Sequence, residues 1–410
     1  MKVESIKFFA VLTLLGGVFQ KIIPFLTSII VANMAGEIYF AQFTFALNTA
    51  NTIVAVCAMG MAPAILTTLS VAKESRSESV HAEILGLLRV GFAVAITVAI
   101  VGFAVASFPP KSASNSSAYL AIVILAPALV FNQAAYTMFQ GVAQYRFSAI
   151  QSLGLFVVVI GFVFSGAVAG FEKSIHVIYA WSYMAVGLGS FALLAFSSLK
   201  RRENKQSFQK MSSLIVRQLP FAGYTAVWMV AIYLCNYKVA HSYGDVLAIY
   251  NASFQWYTII IMVPTLLGGV LIPYFSAKPK SVQVTRITAL YTLIVVPLTI
   301  ILMYFAPQIL ELYSLGATES SSTVFRLMLA SGMLATVTMP MLQLYLARRS
   351  FFKLYLVSGL WTLVAIPGVL VFSQNTIHVA VWFFFAYVVV ALMVVYDMKR
   401  VSKNLGGTYD

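Results

Sequence analysis

The stretch KRRENKQSFQK, Lys200–Lys210, is the longest loop of a 410-residue chain and lies almost at its midpoint. On either side, the sequence consists of apolar runs of about 20 to 28 residues, the length that a helix needs to cross a bilayer. Six such runs precede the loop and six follow it. We therefore predict two six-helix bundles, residues 1–205 and residues 206–410.

The composition excludes a soluble protein. Apolar residues make up 61% of the chain and charged residues 9%, and the mean hydropathy is +0.91. Too little polar surface remains to face water. The apolar runs lack the alternation of a membrane β-barrel, so every backbone amide must be satisfied within its own helix. The predicted fold class is an all-α polytopic membrane protein.

The breaks in hydropathy predict twelve transmembrane helices. Their predicted bounds are 8–33, 38–65, 84–107, 118–139, 149–169, 177–198, 214–240, 246–275, 287–305, 323–346, 354–373 and 377–398. An even number of spans places both termini on the same side. The loops between them are short, which leaves no room for a catalytic domain outside the bilayer.

The basic residues predict which side faces the cytoplasm. When alternate loops are assigned to opposite faces, one face collects 21 of the 26 basic residues, in loops and at the adjoining span ends, whereas the opposite face has only Lys111 and Lys173. By the positive-inside rule, both termini are cytoplasmic. The same bias explains most of the net charge of +14 and favours contact with anionic inner-membrane lipid, so no nucleic-acid partner is predicted.

A short repeat supports two related halves. The pattern V-A-x-x-x-G-[ED] occurs at Val31–Glu37 and again at Val239–Asp245, 208 residues later. Six helices per half give both halves the same orientation. Parallel halves are one way in which transporters build a central cleft, and we predict such a cleft here. Glu37 and Asp245 then occupy equivalent outer loops, where we interpret them as helix-capping carboxylates.

Three cations lie within or at the edge of apolar runs: Lys21, Lys238 and Arg326. Charges in hydrocarbon are costly and normally face a water-filled interior. Lys21 lies 14 residues after Lys7, about 21 Å along a helix, which is too deep for simple snorkelling. Lys238 and Arg326 are near the outer ends of their spans, so each either faces the interior or snorkels to the interface. A cationic interior favours an anionic substrate.

The spans are also rich in amide side chains, which donate and accept hydrogen bonds at once and therefore suit sugar hydroxyls. We predict that six of them bind substrate together with the three cations: Gln20, Asn48, Asn51, Asn236, Asn251 and Gln255. The alternative for any one amide, including Gln42, Asn132, Gln133 and Gln343, is a hydrogen bond between helices.

No motif for catalysis or for a cofactor is present in the sequence. The four histidines lack metal-ligand spacing, and Cys57 and Cys235 are single thiols within apolar runs. A phosphate-binding glycine loop and a nucleophile elbow are also absent. We predict a protein that is not an enzyme, needs no cofactor and draws its energy from a gradient.

Three sequence features resemble one known family. They are Gly16-Gly17 followed by Lys21 in the first span, the segment Leu271–Ser276 (LIPYFS), and the turn Ala143–Phe147 (AQYRF) after the fourth span. Together with the two six-span halves, they resemble the bacterial polysaccharide-lipid flippases of the Wzx type. These belong to the superfamily that also contains the multidrug and toxin extruders (MATE proteins).

The resemblance implies a MATE-like pair of bundles in the bacterial inner membrane. Its substrate would be an undecaprenyl-pyrophosphate-linked oligosaccharide, for O-antigen or a related surface glycan, moved from the cytoplasmic to the periplasmic leaflet. It further implies ion-coupled alternating access with H⁺ or Na⁺, contact with the glycan polymerase machinery, and roles for Lys21, Lys238 and Arg326 in the cavity.

Three alternatives remain open. A multidrug/cation antiporter of the same superfamily is disfavoured because the acidic residues lie near span ends or in loops. A glycan polymerase or ligase is expected to carry a large periplasmic loop, which the predicted topology lacks. A lipid II flippase usually has fourteen spans.

Overall fold

A computed structural model describes residues 3–58, 61–62, 65, 69, 80–107, 116–142, 144–171, 174–200, 211–277 and 282–406. Twelve long helices account for most of these residues. They are α1 (Val3–Met34), α2 (Glu37–Cys57), α3 (Val80–Ala106), α4 (Ser116–Gly141), α5 (Tyr145–Val168), α6 (Ile175–Lys200), α7 (Met211–Ser242), α8 (Leu247–Ala277), α9 (Val282–Tyr304), α10 (Glu319–Ala347), α11 (Phe351–Pro367) and α12 (Thr376–Gly406). Shorter pieces are a 3₁₀ turn at Gly244–Val246, a helix at Ala306–Glu311 and a π-helical turn at Gly368–Phe372.

The all-helical prediction is confirmed, since the described part of the chain contains no strand. Each predicted span has its helix. Ten of the helices are long and apolar enough to cross a membrane by length and composition. The other two, α7 and α8, are 32 and 31 residues long, which exceeds the roughly 20 residues that a crossing needs.

The chain forms two compact units, Met1–Met229 and Val230–Asp410. In the first unit, α4 is central and packs against α2, α3, α5 and α6. In the second unit, α10 is central and packs against α8, α9, α11 and α12. Each helix of the first unit thus corresponds to the helix numbered six higher in the second unit, and the central helix packs against the corresponding four helices in both. The two halves therefore share an internal arrangement, as the sequence repeat predicts.

The repeated V-A-x-x-x-G pattern has the same role in both halves. Val31 and Ala32 are buried near the end of α1, and Val239 and Ala240 are buried near the end of α7. The glycine then starts the next helix in both cases. Gly36 precedes α2 with a φ of 93°, a left-handed conformation that favours glycine, and Gly244 opens the 3₁₀ turn before α8.

Some predicted features lie outside the described residues. They include most of the midpoint loop, 201–210, and the boundary at 205/206 within it. The boundary between the two compact units falls within α7 instead, at Met229 and Val230. The predicted bundle boundary and the cleft between the bundles stay predictions.

Candidate functional site

Lys21 lies near the middle of α1 and its side chain is exposed. Ser28 and Ala32 follow it by seven and eleven residues, so all three lie on one side of the helix. Both of these neighbours are buried. The apolar positions Ile22 and Ile29 lie about 100° away around the helix axis. Lys21 therefore lies on the side of α1 that is buried at Ser28 and Ala32, but at the level of Lys21 this side is exposed.

Helix α2 carries two amides on an otherwise buried surface. Every residue from Phe40 to Leu47 is buried, whereas Asn48 is half-buried and Asn51 is exposed. Asn51 comes three positions after Asn48, so the two side chains lie on the same face of the helix, about one turn apart. A buried helix thus presents a narrow polar stripe to space that the protein does not fill.

Lys21 and Asn51 lie at the same depth. Helices α1 and α2 pack together and are joined by a tight turn at Ala35 and Gly36. Lys21 precedes Ala35 by 14 residues and Asn51 follows Gly36 by 15, which places them about 21 Å and about 23 Å from that turn. Both are therefore deep in the span and level with each other.

A third exposed polar residue, Gln133, comes from the central helix α4. It precedes Tyr136 by three residues, and Tyr136 lies against Gly16 of α1, where an added Cβ would be 3.5 Å from its ring. Gln133 lies three residues, about 4.5 Å, from Tyr136 along α4. Lys21 lies five residues, about 7.5 Å, from Gly16 along α1. The residues Lys21, Asn48, Asn51 and Gln133, which we name the polar patch, therefore occupy one level of the first unit.

The surroundings of the polar patch distinguish it from the lipid-facing surface. Helices α3, α5 and α6 expose large apolar side chains such as Phe103, Phe162 and Phe196, as expected for contact with lipid. The patch instead places an exposed cation on α1 beside three amides on α2 and α4, two helices that are mostly buried. Such groups at membrane depth normally face water, because hydrocarbon offers them no hydrogen-bond partner. The patch is suited to binding a hydrated, anionic group.

Gln20 does not join the polar patch. Its Nε2 donates to Ser152 Oγ of α5 at 3.2 Å. One residue from Lys21, it lies about 100° around the helix and faces a neighbouring helix. Two other amides make the same kind of contact: Asn132 Nδ2 donates to the carbonyl of Tyr183 at 2.7 Å, and Gln343 Nε2 donates to that of Pro264 at 2.7 Å. These three amides make hydrogen bonds between helices, and substrate binding by Gln20 stays a prediction.

The three amides predicted in the second half are buried within that unit. Asn236, Asn251 and Gln255 are each at most 9% exposed. The hydroxyl of Tyr313 donates to Gln255 Oε1 at 3.3 Å, which ties α8 to the segment after the short helix. These residues are not exposed at a surface comparable with the polar patch, and their role in substrate binding stays a prediction.

Lys238 is half-buried four residues before the end of α7. Its Nζ lies 5.8 Å from the centroid of the Tyr243 ring, a cation–π contact. The hydroxyl of Tyr243 donates to the carbonyl of Ser373 at 2.7 Å, and burial raises the pKa of this phenol. The contact favours an interfacial position for the Lys238 ammonium, at the predicted outer end of the helix.

Arg326 has two protein partners near the start of α10. Its Nε donates to the carbonyl of Met303, at the end of α9, at 3.2 Å, and Nη1 donates to Glu319 Oε1 at 3.2 Å. A guanidinium that binds the last carbonyls of a helix complements its dipole. Lys238 and Arg326 thus each have protein partners in the second unit, and of the three predicted cations only Lys21 belongs to the polar patch. Substrate binding by Lys238 and Arg326 stays a prediction.

Two groups of residues were missed by the sequence argument. Gln133 is one of the amides in the spans, but nothing in the sequence marks it as exposed and the predicted site does not include it. The cluster of Tyr345, Lys353 and Asp397 joins three helices of the second unit, and its members are 52 residues apart in sequence at most. The part of the chain that the structure describes holds no group of side chains suited to a metal ion.

Comparisons with known proteins bear on both the family and the fold. The profile of a family described as polysaccharide biosynthesis protein matches residues 9–278. None of the curated proteins matches the sequence significantly.

Several solved structures have the same fold. An inward-facing multidrug-resistance MATE transporter of the MOP superfamily superposes with a TM-score of 0.75 at 14% identity, over 95% of this chain and 96% of that one. A MOP-superfamily transporter from Pyrococcus furiosus, described as having a binding pocket of reversed polarity, gives a TM-score of 0.69 at 14% identity over 96% of this chain and 94% of that one. An outward-facing MATE transporter gives 0.64 at 14% identity over 96% and 95%. At these identities the likeness establishes the MATE-like fold.

Proposed function

The chain belongs to the polysaccharide biosynthesis protein family, and on that basis we propose that it is a flippase for a polyprenyl-pyrophosphate-linked oligosaccharide. The substrate would be an undecaprenyl-pyrophosphate carrying the repeat unit of O-antigen or a related glycan. It would move from the cytoplasmic to the periplasmic leaflet of the inner membrane.

The polar patch is the observation that carries this proposal. Its single cation at membrane depth suits a pyrophosphate, and its amides suit the hydroxyls of the attached sugars. In this mechanism the head group enters a hydrated space beside Lys21 while the polyprenyl tail stays in lipid. The ammonium then replaces part of the hydration that the phosphate loses.

Transport against a gradient requires a second ligand, and we propose a coupling cation, H⁺ or Na⁺. A ligand drives a conformational change only if it binds one state more tightly than the other. In the described spans of the first unit, the acidic residues are Glu37 and Glu83, and both lie at the end of a span. The same feature disfavours a multidrug/cation antiporter, because a lipophilic cation needs a negative partner in the cavity.

The test is export of the glycan by Lys21 variants in a strain that lacks the native chromosomal copy. Lys21→Ala should abolish surface glycan and cause lipid-linked oligosaccharide to accumulate on the cytoplasmic leaflet. Lys21→Arg should retain part of the export, because it keeps the charge. Lys399→Ala, which removes another exposed lysine at the end of a span, is the matched control and should export normally.

Protein amount and membrane insertion are measured for every variant by quantitative immunoblotting of membranes. Normal surface glycan in the Lys21→Ala strain, at equal protein amount, would refute the proposed role of the polar patch. Export that is abolished in both alanine variants would show a general effect of charge and would count against it too.

A further inference from the structure

A groove of about 370 Å³ runs between α1 and α5, away from the polar patch. Its walls are Leu15 and Phe19 on α1 and Ile150 and Leu153 on α5, and its floor is formed by Gly16 and Ala149. Leu15, Ile150 and Leu153 are each roughly half exposed. The groove is therefore open and apolar, and it lies on the exposed surface of the first unit.

Small residues at the floor give the groove its depth. Gly16 is buried, and a Cβ at this position would come within 3.3 Å of Ser152 Oγ. Helices α1 and α5 run parallel, because Gly16 lies at Ser152 while Phe19 contacts Phe156 with ring centroids 5.4 Å apart. Two parallel helices with bulky residues on the rims and small ones between them leave space for a slender apolar chain.

One end of the groove is charged. Arg146 lines it, in the first turn of α5, and its side chain is exposed. Leu153 lies seven residues further along α5, so the apolar part extends about 10 Å from the arginine towards the membrane centre. The positive-inside pattern assigns the Arg146 end to the cytoplasmic leaflet.

A cation at the membrane surface above an apolar channel complements an anionic lipid. Arginine binds a phosphate through two parallel hydrogen bonds, and the N-terminal end of α5 adds a favourable dipole. We propose that this groove binds one anionic phospholipid of the cytoplasmic leaflet, with its phosphate on Arg146 and one acyl chain between α1 and α5. Phosphatidylglycerol has the required chemistry.

The groove is separate from the polar patch. Phe19 precedes Lys21 by two residues, which places the two side chains about 200° apart around α1. The lipid therefore binds to the opposite side of α1 from the proposed substrate. This proposal does not depend on the identity of the transported molecule, and its test uses binding alone.

The experiment is native mass spectrometry of the full-length protein, delipidated and then incubated with dioleoyl phosphatidylglycerol or dioleoyl phosphatidylcholine. We expect one phosphatidylglycerol to be retained and phosphatidylcholine to be lost. Arg146→Gln should reduce retention at least tenfold by removing the phosphate contact. Ala149→Phe should reduce it to a similar extent by filling the floor of the groove.

Arg348→Gln is the matched control, since it removes an exposed arginine just after α10 in the other unit, and retention should be unchanged. Thermal melting in detergent micelles verifies that each variant is folded. If Ala149→Phe does not fold, the comparison of Arg146→Gln with wild type is sufficient. Equal retention by wild type and Arg146→Gln would overturn the proposal. Retention of phosphatidylcholine, or displacement of phosphatidylglycerol by equimolar undecaprenyl phosphate, would overturn the assignment to an anionic phospholipid.

Discussion

The ammonium of Lys353 lies 2.6 Å from Oδ2 of Asp397, and this ion pair joins the first turn of α11 to the end of the apolar part of α12. The hydroxyl of Tyr345, on α10, donates to the same carboxylate oxygen at 2.5 Å. Lys353 also lies 5.1 Å from the centroid of the Tyr345 ring. Three helices of the second unit are therefore connected through one carboxylate.

At the corresponding turn of the first unit, the contact between the two helices is made by apolar residues. Phe139 and Phe147 stack with their centroids 5.9 Å apart, across the turn between α4 and α5. They are eight residues apart, as are Tyr345 and Lys353 across the turn between α10 and α11. The second unit thus has a cation and a phenol where the first has two phenylalanines, and Asp397 balances the charge.

We expect Asp397→Asn to destabilise the protein. The carboxylate is 13% exposed and accepts two hydrogen bonds, and its loss leaves the Lys353 ammonium without its counter-ion. The expected cost is about 1–3 kcal/mol, at the lower end because water reaches Lys353, which is 37% exposed. Thermal melting of the purified protein measures it, with Lys399→Ala as the control. Equal melting temperatures for wild type and Asp397→Asn would show that the cluster does not stabilise the unit.

A second prediction concerns Asn51, whose side chain is exposed at the level of Lys21. Asn51→Leu removes a hydrogen-bond donor and an acceptor from the polar patch, at a position where the side chain is exposed and not packed in the core. If these groups bind sugar hydroxyls, glycan export per inserted molecule should fall about fivefold to tenfold, the loss of one or two hydrogen bonds.

The matched control is Asn33→Leu on the neighbouring helix. Asn33 is also exposed, but its Nδ2 donates to the carbonyl of Ile29 near the end of α1, and Asn33 lies about 18 Å along this helix from Lys21. Export by this variant should stay close to that of the wild type. If export decreased to the same extent in both variants, a specific role of the polar patch in binding the glycan would be contradicted.

Much of the fold follows from the sequence, for identifiable reasons. Apolar runs and short loops determine the helices, because a backbone in lipid must satisfy its own hydrogen bonds. The two copies of the V-A-x-x-x-G repeat occupy similar positions, since Val31 and Val239 are both buried near a helix end and each is followed five residues later by a glycine in the turn to the next long helix.

The site was less predictable. Hydropathy locates a residue along the membrane normal but does not determine its direction around the helix. Gln20 and Lys21 are adjacent in sequence, yet Gln20 contacts Ser152 and Lys21 is exposed. Asn132 and Gln133 differ in the same way, because Asn132 is buried against Tyr183 and Gln133 is exposed. Tertiary packing decides which member of each pair is available to a ligand.

A third prediction concerns the close packing of α4 against α6 at Gly187. A Cβ at this position would lie 2.7 Å from Nδ2 of Asn132 and 3.2 Å from the carbonyl oxygen of Ala128. Gly187→Ala should therefore displace the Asn132 amide from the Tyr183 carbonyl and cost about 1–3 kcal/mol of stability. Melting temperature, with retention of a monodisperse peak on size exclusion, measures the effect.

Gly189 provides the control on the same helix. A Cβ there meets no atom within 4 Å, so Gly189→Ala should be neutral or slightly stabilising through the helix propensity of alanine. If the two substitutions had equal effects, the contact between Gly187 and Asn132 would not determine how closely α4 and α6 pack.

The fourth prediction separates the two interpretations of Arg326. Its contacts with Met303 and Glu319 favour a role in fixing the end of α9 against α10. Arg326→Lys keeps the charge but loses the fork that reaches both partners, and Glu319→Gln removes the ion pair alone. Because the guanidinium is 39% exposed and the carboxylate 86%, each change should cost only about 0.2–1 kcal/mol.

Stability and export respond differently under the two roles of Arg326. If it fixes the helix end, both variants melt slightly below the wild type, and glycan export per inserted molecule is unchanged. If it binds the pyrophosphate, Arg326→Lys lowers export per molecule while Glu319→Gln does not, because Glu319 repels an anion and its neutralisation does not weaken the site. Normal export by Arg326→Lys together with a marked loss in Lys21→Ala would locate the anion-binding charge in the first unit, on α1.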